Sequence, residues 1–331
     1  MSALRTKAAA SVWRNANLGH WNVTNVTVTN SPFWCSKFTI PGLTHESFDR
    51  DGNVKMTSIM LTSVIARQFV LHKPFNDSGS IFLDWPALTE DRFTFVSSTQ
   101  FKMSKALYGS EVPKWPLDVE FILGFVGNSS MAGVTNFYNV GETSEPLWTQ
   151  INQLVSIDKV TRKPTPLPDW FKDKYKGKGC MDQGLIIKPF NRPSLTYSMP
   201  VVVRWSDTDN YNHTNFASYV HWAINAIHAA IREEEKAKGL KSTVSADQLP
   251  SSALNGINKD IVSNGLKDVQ ICYLNESLEG QALNVHVWQQ DNLEHKVFTS
   301  IERGEDDICQ LQFEYFSSST DEESAATNNK I

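Results

Sequence analysis

The sequence predicts an α+β protein built from two similar halves, in each of which an antiparallel sheet wraps around one long helix. The first observation is that a long helical pattern is followed by four strand-like runs, and that this order occurs twice. The second is an apolar stripe on the second helix, at intervals of three and four residues: Tyr219, Trp222, Ala223, Ala226, Ile227 and Ala230. At 331 residues the chain is long enough for two domains with substantial cores.

The first half begins with a helical pattern over residues 53–72, which ends before Pro74 because proline cannot continue a helix. Strand-like runs follow at 92–96, 117–126, 131–138 and 147–158. In the second of these runs apolar residues occupy every second position, which is typical of a strand with one buried face: Leu117, Val119, Phe121, Leu123 and Phe125.

The second half repeats this order. A helical pattern over 215–238 ends at Gly239. Strand-like runs follow at 268–275, 282–289, 295–303 and 308–316. In the last run apolar residues again alternate with polar ones: Cys309, Leu311, Phe313 and Tyr315. We therefore expect one repeat over residues 21–163 and a second over 194–316.

The remaining segments are expected to lie outside the two repeats. Residues 164–193 contain several prolines and a series of lysines, which predicts a linker that crosses the surface. Residues 1–20 are expected to form an N-terminal arm. Residues 317–331 are rich in Ser, Thr, Asn and acidic residues, which predicts a disordered tail.

Composition excludes several classes of function. With 31 Lys and Arg against 36 Asp and Glu, the formal net charge is -5, and no basic run predicts nucleic-acid binding. The longest apolar stretch, 58–71, contains Arg67 and Gln68 and is too short for a membrane span. The four cysteines lie far apart, which favours reduced thiols in a cytoplasmic protein. Residues 1–45 contain no acidic residue, so mitochondrial or plastid import stays open as an alternative.

The strongest functional signal is a short polar loop immediately before the second helix. Asp209 and His213 stand four residues apart there, together with Tyr211, Asn212 and Asn215. An acid and a histidine can move a proton, and N–H groups at a helix start can stabilise an oxyanion, so the loop predicts an active site. The alternative is that these side chains only cap the helix and hydrogen-bond the loop.

A polar loop also precedes the first helix. Residues 49–53 resemble part of a calcium-binding loop, but Ser47 and Ser58 stand where such a loop requires Asp and Glu, so we expect a turn. From its position before the first helix we interpret it as an inactive counterpart of the predicted active-site loop. His221 and His228 lack a third ligand at suitable spacing, so we predict no metal site.

Two segments of the second half form a recognisable pattern. The first is the run from Arg204 to Asp209 with the residues that follow it: His213, Asn215, Tyr219 and Trp222. The second is the run from Tyr273 to Ser277. The first segment resembles the signature of the hot-dog-fold thioesterases, and most of all the C-terminal half of the plant acyl-ACP thioesterases, and the second is similar to that family's second active-site segment. The resemblance implies a tandem, double hot-dog fold with a degenerate first site and an active site in the second repeat.

The same resemblance assigns roles to individual residues. Asp209 and His213 match the family's loop acid and histidine, and Glu276 matches the glutamate that acts on water. Two positions depart from the family pattern. Tyr211 stands where the family has a catalytic asparagine, and Phe216 stands where it has the second asparagine of a His-x-Asn-Asn run.

The implied activity is that of a fatty acyl thioesterase, which hydrolyses acyl-ACP or acyl-CoA without a metal or an organic cofactor. A hot-dog hydratase or dehydratase and a non-catalytic acyl-thioester binding protein are the alternatives. The choice of carrier, the chain length and the formation of a homodimer stay open. Apolar residues of the first helix are expected to line an acyl-chain tunnel: Ile59, Met60, Leu61, Val64 and Ile65.

Overall fold

The computed structural model describes residues 22–142, 144–209, 212–241, 253–254, 256–291 and 293–317. The chain divides into two compact units. The first comprises the chain up to Ser47 together with Ser58–Ile187, and the second comprises Phe48–Thr57 together with the chain from Lys188 onward. The predicted arm 1–20, Tyr211 and the predicted tail beyond Ser317 lie outside the described residues.

The first unit is an antiparallel sheet around one long helix, α1 (Met56–His72). Two short helices, α2 (Trp85–Leu88) and α3 (Asp169–Tyr175), accompany it. The strands are β1 (Thr24–Thr29), β2 (Cys35–Ile40), β3 (Arg92–Met103), β4 (Leu117–Val126), β5 (Ser130–Asn139) and β6 (Trp148–Asp158). They lie in the order β1-β2-β4-β5-β6-β3, so the four predicted strands are joined by two strands from the N-terminal region.

The second unit has the same plan. Its long helix is α4 (Phe216–Lys241), and a short helix, α5 (Lys259–Ser263), follows. The strands are β7 (Tyr197–Val202), β8 (Leu266–Tyr273), β9 (Ala282–Trp288), β10 (Lys296–Arg303) and β11 (Asp306–Tyr315). Their order, β7-β9-β10-β11-β8, corresponds strand by strand to β2-β4-β5-β6-β3 of the first unit. This match confirms the predicted repeat.

Each long helix buries one face. In α4 the predicted apolar stripe is confirmed, since all six of its residues are buried. In α1 the buried face carries Ile59, Met60 and Ser63, and the Ser63 hydroxyl accepts a 3.2 Å hydrogen bond from Trp148 Nε1 of β6. Leu61 and Ile65 are 50% and 46% exposed. The expectation that all five apolar residues line a tunnel is therefore wrong for these two, which point away from the core.

The sheet faces that pack on the helices differ between the units. Because alternate residues of a strand share a face, Gln150 and Asn152 lie on the same side of β6 as Trp148, towards α1. Both are buried, and Asn152 Oδ1 accepts a 2.7 Å hydrogen bond from Thr99. The Gln150 amide has no hydrogen-bond partner among the described residues. The second unit fills the equivalent face almost entirely with fully buried apolar side chains: Val285, Val287, Val297, Ile301, Leu311 and Phe313.

The segment predicted as a surface linker is packed on the sheets. Helix α3 buries Phe171 and Tyr175 in the first unit, and Leu185 N donates to Gln153 Oε1 at 2.9 Å. In the second unit Phe190 makes two hydrogen bonds through its backbone N and O to the side chain of Gln310, at 2.8 and 2.9 Å. Within the described part of the chain, no helix is both long and apolar enough to cross a membrane.

Candidate active site

The loop before α4 is closed by hydrogen bonds between its two ends. Asp209 N donates to His213 O at 2.8 Å, and Asn212 N donates to Asp209 O at 3.0 Å. One carboxylate oxygen of Asp209 also accepts a 3.3 Å bond from His213 N. Asn212 has a left-handed backbone, with a φ of 62°, which asparagine tolerates better than most residues. The local sequence thus folds into a tight turn that presents His213 just before the helix.

The structure brings His213 together with Glu276. His213 Nε2 lies 3.3 Å from Glu276 Oε2, and the two side chains are 18% and 45% exposed. A neutral His213 that donates to this carboxylate carries its proton on Nε2. Glu276 keeps the exposure that a water molecule needs to reach it. The pair can therefore take up a proton from water and pass it on.

The start of α4 is already hydrogen-bonded. Asn215 N donates to Asp207 O at 2.7 Å, Ser218 N donates to Asn215 O at 2.8 Å, and Ala217 N donates to Asn215 Oδ1 at 3.0 Å. These three N–H groups, which the sequence suggested for oxyanion binding, are engaged within the protein. The Asn215 side chain caps the helix through its oxygen, while its Nδ2 makes no hydrogen bond to any described residue.

Three buried hydroxyl groups lie beside this pair, and no site role was predicted for them from the sequence. Tyr219 was expected only in the buried stripe of the helix and among the residues of the family resemblance. Thr214 Oγ1 lies 2.6 Å from Ser277 Oγ, and Tyr219 Oη lies 3.0 Å from Ser277 Oγ. Burial raises the pKa of Tyr219, although its hydrogen bond to Ser277 opposes the shift. The sequence feature that could have indicated two of them is their position, since Thr214 follows His213 and Ser277 follows Glu276.

The loop before α1 repeats the hydrogen bonds described for the loop before α4. Asp49 N donates to Asn53 O at 2.8 Å, and Gly52 N donates to Asp49 O at 3.2 Å. Asp49 Oδ1 accepts from Asn53 N at 2.9 Å, and Gly52 has a φ of 84°. Asp49, Gly52 and Asn53 thus occupy the places of Asp209, Asn212 and His213. This loop is a turn, as predicted, and Asn53 stands in place of the histidine.

The other predicted features are placed as follows. His221 is exposed and its Nε2 lies 3.1 Å from Asn225 Nδ2 on the outer face of α4. His228, on the same helix, is partly buried. Among the described residues no group of three or more His, Cys, Asp or Glu side chains is arranged to hold a metal ion. The four cysteines carry free thiols.

No protein-family model and no curated protein matches the sequence significantly. Solved structures match the fold over most of both chains. A 12:0-ACP thioesterase from Umbellularia californica is 15% identical, with a TM-score of 0.60, and the match covers 86% of this chain and 98% of that one. A Lactobacillus plantarum protein assigned as an oleoyl thioesterase is also 15% identical, with a TM-score of 0.59 and coverages of 87% and 98%.

A third structure agrees with these two. An acyl-ACP thioesterase from Bacteroides thetaiotaomicron is 12% identical, with a TM-score of 0.55 and coverages of 85% and 98%. Since each match spans almost the whole of the compared chain, it includes both repeats. The chain therefore has a tandem, double hot-dog fold of the kind that these thioesterase structures share.

Proposed function

We propose that the protein is a fatty acyl thioesterase, which hydrolyses acyl-ACP or acyl-CoA to a free fatty acid and a thiol. The observation that carries the proposal is the 3.3 Å approach of His213 Nε2 to Glu276 Oε2 next to the start of α4. The names of the three similar structures support an acyl thioester as the substrate class.

In the proposed reaction Glu276 is the general base. Its carboxylate takes a proton from water while the water oxygen attacks the thioester carbonyl carbon, and His213 orients the carboxylate by a hydrogen bond. The tetrahedral intermediate then collapses, the C–S bond breaks, and the departing thiolate receives a proton through the Glu276 and His213 pair. One water molecule is consumed, and neither a metal nor an organic cofactor is needed because a thiolate leaves readily.

The loop residues are proposed to support this step. Asp209 holds the backbone of His213 through its carboxylate, so it orients the imidazole without touching the substrate. Asn215 Nδ2 is the proposed side-chain donor to the oxyanion, because the helix cap fixes its amide in place. Tyr211 and Asn212 are proposed to shape the loop around the carbonyl.

The oligomeric state is a separate question. Light scattering of the purified protein measures whether the chain is a monomer or a homodimer.

The test is thiol release from a panel of acyl-ACP and acyl-CoA substrates, with product identification by mass spectrometry. Wild-type protein should release free fatty acid, and Glu276→Gln should reduce kcat about 10²–10⁴-fold, as expected for loss of a general base. Glu279→Gln is the matched control, since Glu279 is a nearby exposed carboxylate on the same segment and should be dispensable.

Other outcomes would contradict the proposal. Water addition to an enoyl chain with the thioester intact would make the protein a hydratase. Tight acyl-thioester binding without turnover would make it a binding protein. Full activity in both Asp209→Asn and His213→Ala would remove the proposed site altogether.

A further inference from the structure

A chain of three buried hydroxyl groups joins the two segments that carry the proposed site. Thr214, Ser277 and Tyr219 are 6%, 0% and 4% exposed. Thr214 N donates to Ser277 O at 2.9 Å, and Thr214 Oγ1 lies 3.0 Å from the same carbonyl oxygen and 2.6 Å from Ser277 Oγ. Tyr219 Oη, from the buried face of α4, completes the chain at 3.0 Å from Ser277 Oγ.

We propose that Thr214, Ser277 and Tyr219 are positioning residues that set the distance between His213 and Glu276. This inference rests on the function proposed above. Thr214 directly follows His213 and Ser277 directly follows Glu276, while a backbone bridge pairs His213 with Leu278. Successive side chains on an extended backbone point to opposite sides. The buried pair therefore lies behind the partly exposed pair, and the separation of one pair fixes the separation of the other.

The three hydroxyl groups can donate their hydrogen bonds one after another along the chain. Tyr219 donates to Ser277 Oγ, Ser277 donates to Thr214 Oγ1, and Thr214 donates to the carbonyl oxygen of Ser277. Every hydroxyl proton then has an acceptor in a region from which water is excluded, and buried hydroxyl groups without partners are costly. The chain links α4, the loop before it and the segment after β8, so it acts as a clip between three elements.

The loop before α1 supports this role independently. A backbone bridge pairs Phe48 with Val54 there, as another pairs Thr208 with Thr214 in the second unit. Val54 thus stands where Thr214 stands, and it has nearly the same shape without the hydroxyl. The loop that has asparagine in place of the histidine also lacks the first hydroxyl of the clip. Both loops have the turn, but the threonine hydroxyl is present only in the loop that also has the histidine.

The test compares Thr214→Val with Thr214→Ser in the full chain. Thr214→Val keeps the shape and removes the hydroxyl, so kcat should fall about 10–100-fold, the size expected when a reacting pair is displaced by part of an ångström. KM should change less than about 3-fold, and Thr214→Ser should restore kcat to within about 3-fold of wild type. Ser277→Ala should behave like Thr214→Val.

Ser218→Ala is the matched control, because it removes a 3.1 Å hydrogen bond from the same helix start to Asp207 O without touching the clip. It should leave kcat within about 2-fold of wild type. A Thr214→Val protein that is less stable but has an unchanged kcat and pH profile would overturn the positioning role.

A second measurement does not depend on turnover. The His213 imidazole resonances, assigned by their loss in His213→Ala, should have different chemical shifts in Thr214→Val than in wild type, because the distance to the Glu276 carboxylate changes. Thr214→Ser should have chemical shifts close to those of wild type. Identical chemical shifts in all three proteins would overturn the inference, whereas absence of thiol release from every substrate would count against the proposed function alone.

Discussion

The loops before the two long helices share their closing hydrogen bonds and differ in their side chains. Both are closed by a bond from the N–H of the aspartate to the carbonyl four residues later, and in both the residue three positions after the aspartate is left-handed. The first loop has Asn53 and Val54 where the second has His213 and Thr214. The comparison teaches that the turn does not require the reactive side chains. On the proposed function, a few substitutions on a shared frame separate a structural loop from a catalytic one.

The two sheets also differ, in the polarity of the side that faces the helix. The helix-facing side of the first sheet buries polar side chains, including Thr99, Thr135, Gln150 and Asn152, whereas the second is nearly all apolar. The second unit instead places three buried hydroxyl groups together at the start of its long helix, those of Thr214, Ser277 and Tyr219. The two units therefore use the same architecture with polar groups in different places.

The largest expected effect comes from making the second loop resemble the first. His213→Asn should reduce kcat about 10²–10⁴-fold because it removes the imidazole from the proton path. Its melting temperature should stay close to that of wild type, since Asn53 shows that the turn accepts asparagine at this place. Steady-state kinetics and calorimetry measure both quantities. Asn53→Ala is the control and should retain activity; a similar loss in both variants would break the comparison.

The next effect concerns the polar interior of the first sheet. Gln150→Leu should raise the free energy of unfolding by about 1–3 kcal/mol, because the buried amide has no hydrogen-bond partner among the described residues. Asn152→Leu should lower it, because Thr99 would lose the acceptor of its 2.7 Å hydrogen bond. Urea unfolding of the two variants checks the signs. Destabilisation by both would mean that Gln150 has an unseen polar partner in solution.

A smaller effect is expected from the aspartate of the first loop. Asp49 Oδ1 accepts N–H bonds from Asp51 and Asn53, both at 2.9 Å, so Asp49→Ala should cost about 1 kcal/mol of stability. Activity should be retained. Asp209→Ala should lower stability and, on the proposed function, activity as well. Asp51→Ala is the control, because its ion pair with Arg50 is long, at 3.8 Å, and exposed.

The smallest effect is a pH dependence where the first loop meets α4 within the second unit. Burial lowers the pKa of His228, Arg50 and Arg232 add to the lowering, and Asp49 and Asp51 oppose it. The folded protein then binds this proton less readily than the unfolded chain, so stability should fall as the pH drops below 6.5, the ordinary value for histidine. In His228→Gln this fall should be weaker. His221→Gln, at an exposed position, should leave it unchanged when melting curves are compared between pH 7 and pH 5.

The periodic elements could be predicted from sequence because their patterns are local. The run over 117–126 coincides with β4, and the stripe on α4 is buried as predicted. Strand β7 was not among the predicted runs, because Pro200 interrupts the apolar pattern of Tyr197–Val202. Proline is accepted there because β7 lies at the end of the sheet order. Helix α3 lies in the segment that was predicted as a linker. Its two buried residues, Phe171 and Tyr175, stand among lysines and aspartates and therefore do not indicate a packed helix in the sequence.

The site was predictable only in part. The proximity of Asp209 and His213 follows from their spacing, whereas the approach of Glu276 to His213 was expected from the family resemblance alone. The pairing of Thr214 with Ser277 joins residues 63 positions apart and depends on how the end of β8 meets the loop. No periodicity encodes such a contact. Sequence patterns predict the helices and strands, whereas the contact between these hydroxyl groups depends on tertiary packing.

Gln310 has a practical consequence for engineering. A glutamine side chain offers both a donating NH2 group and an accepting carbonyl oxygen, so it can pair with the backbone N–H and C=O of a chain that crosses the face of a sheet. Phe190 is held in this way, and Leu185 is held by Gln153. A peptide tag or fluorophore inserted at Phe190 or Leu185 would break these hydrogen bonds. Ile186, which is 77% exposed and lies between them, is the better insertion point.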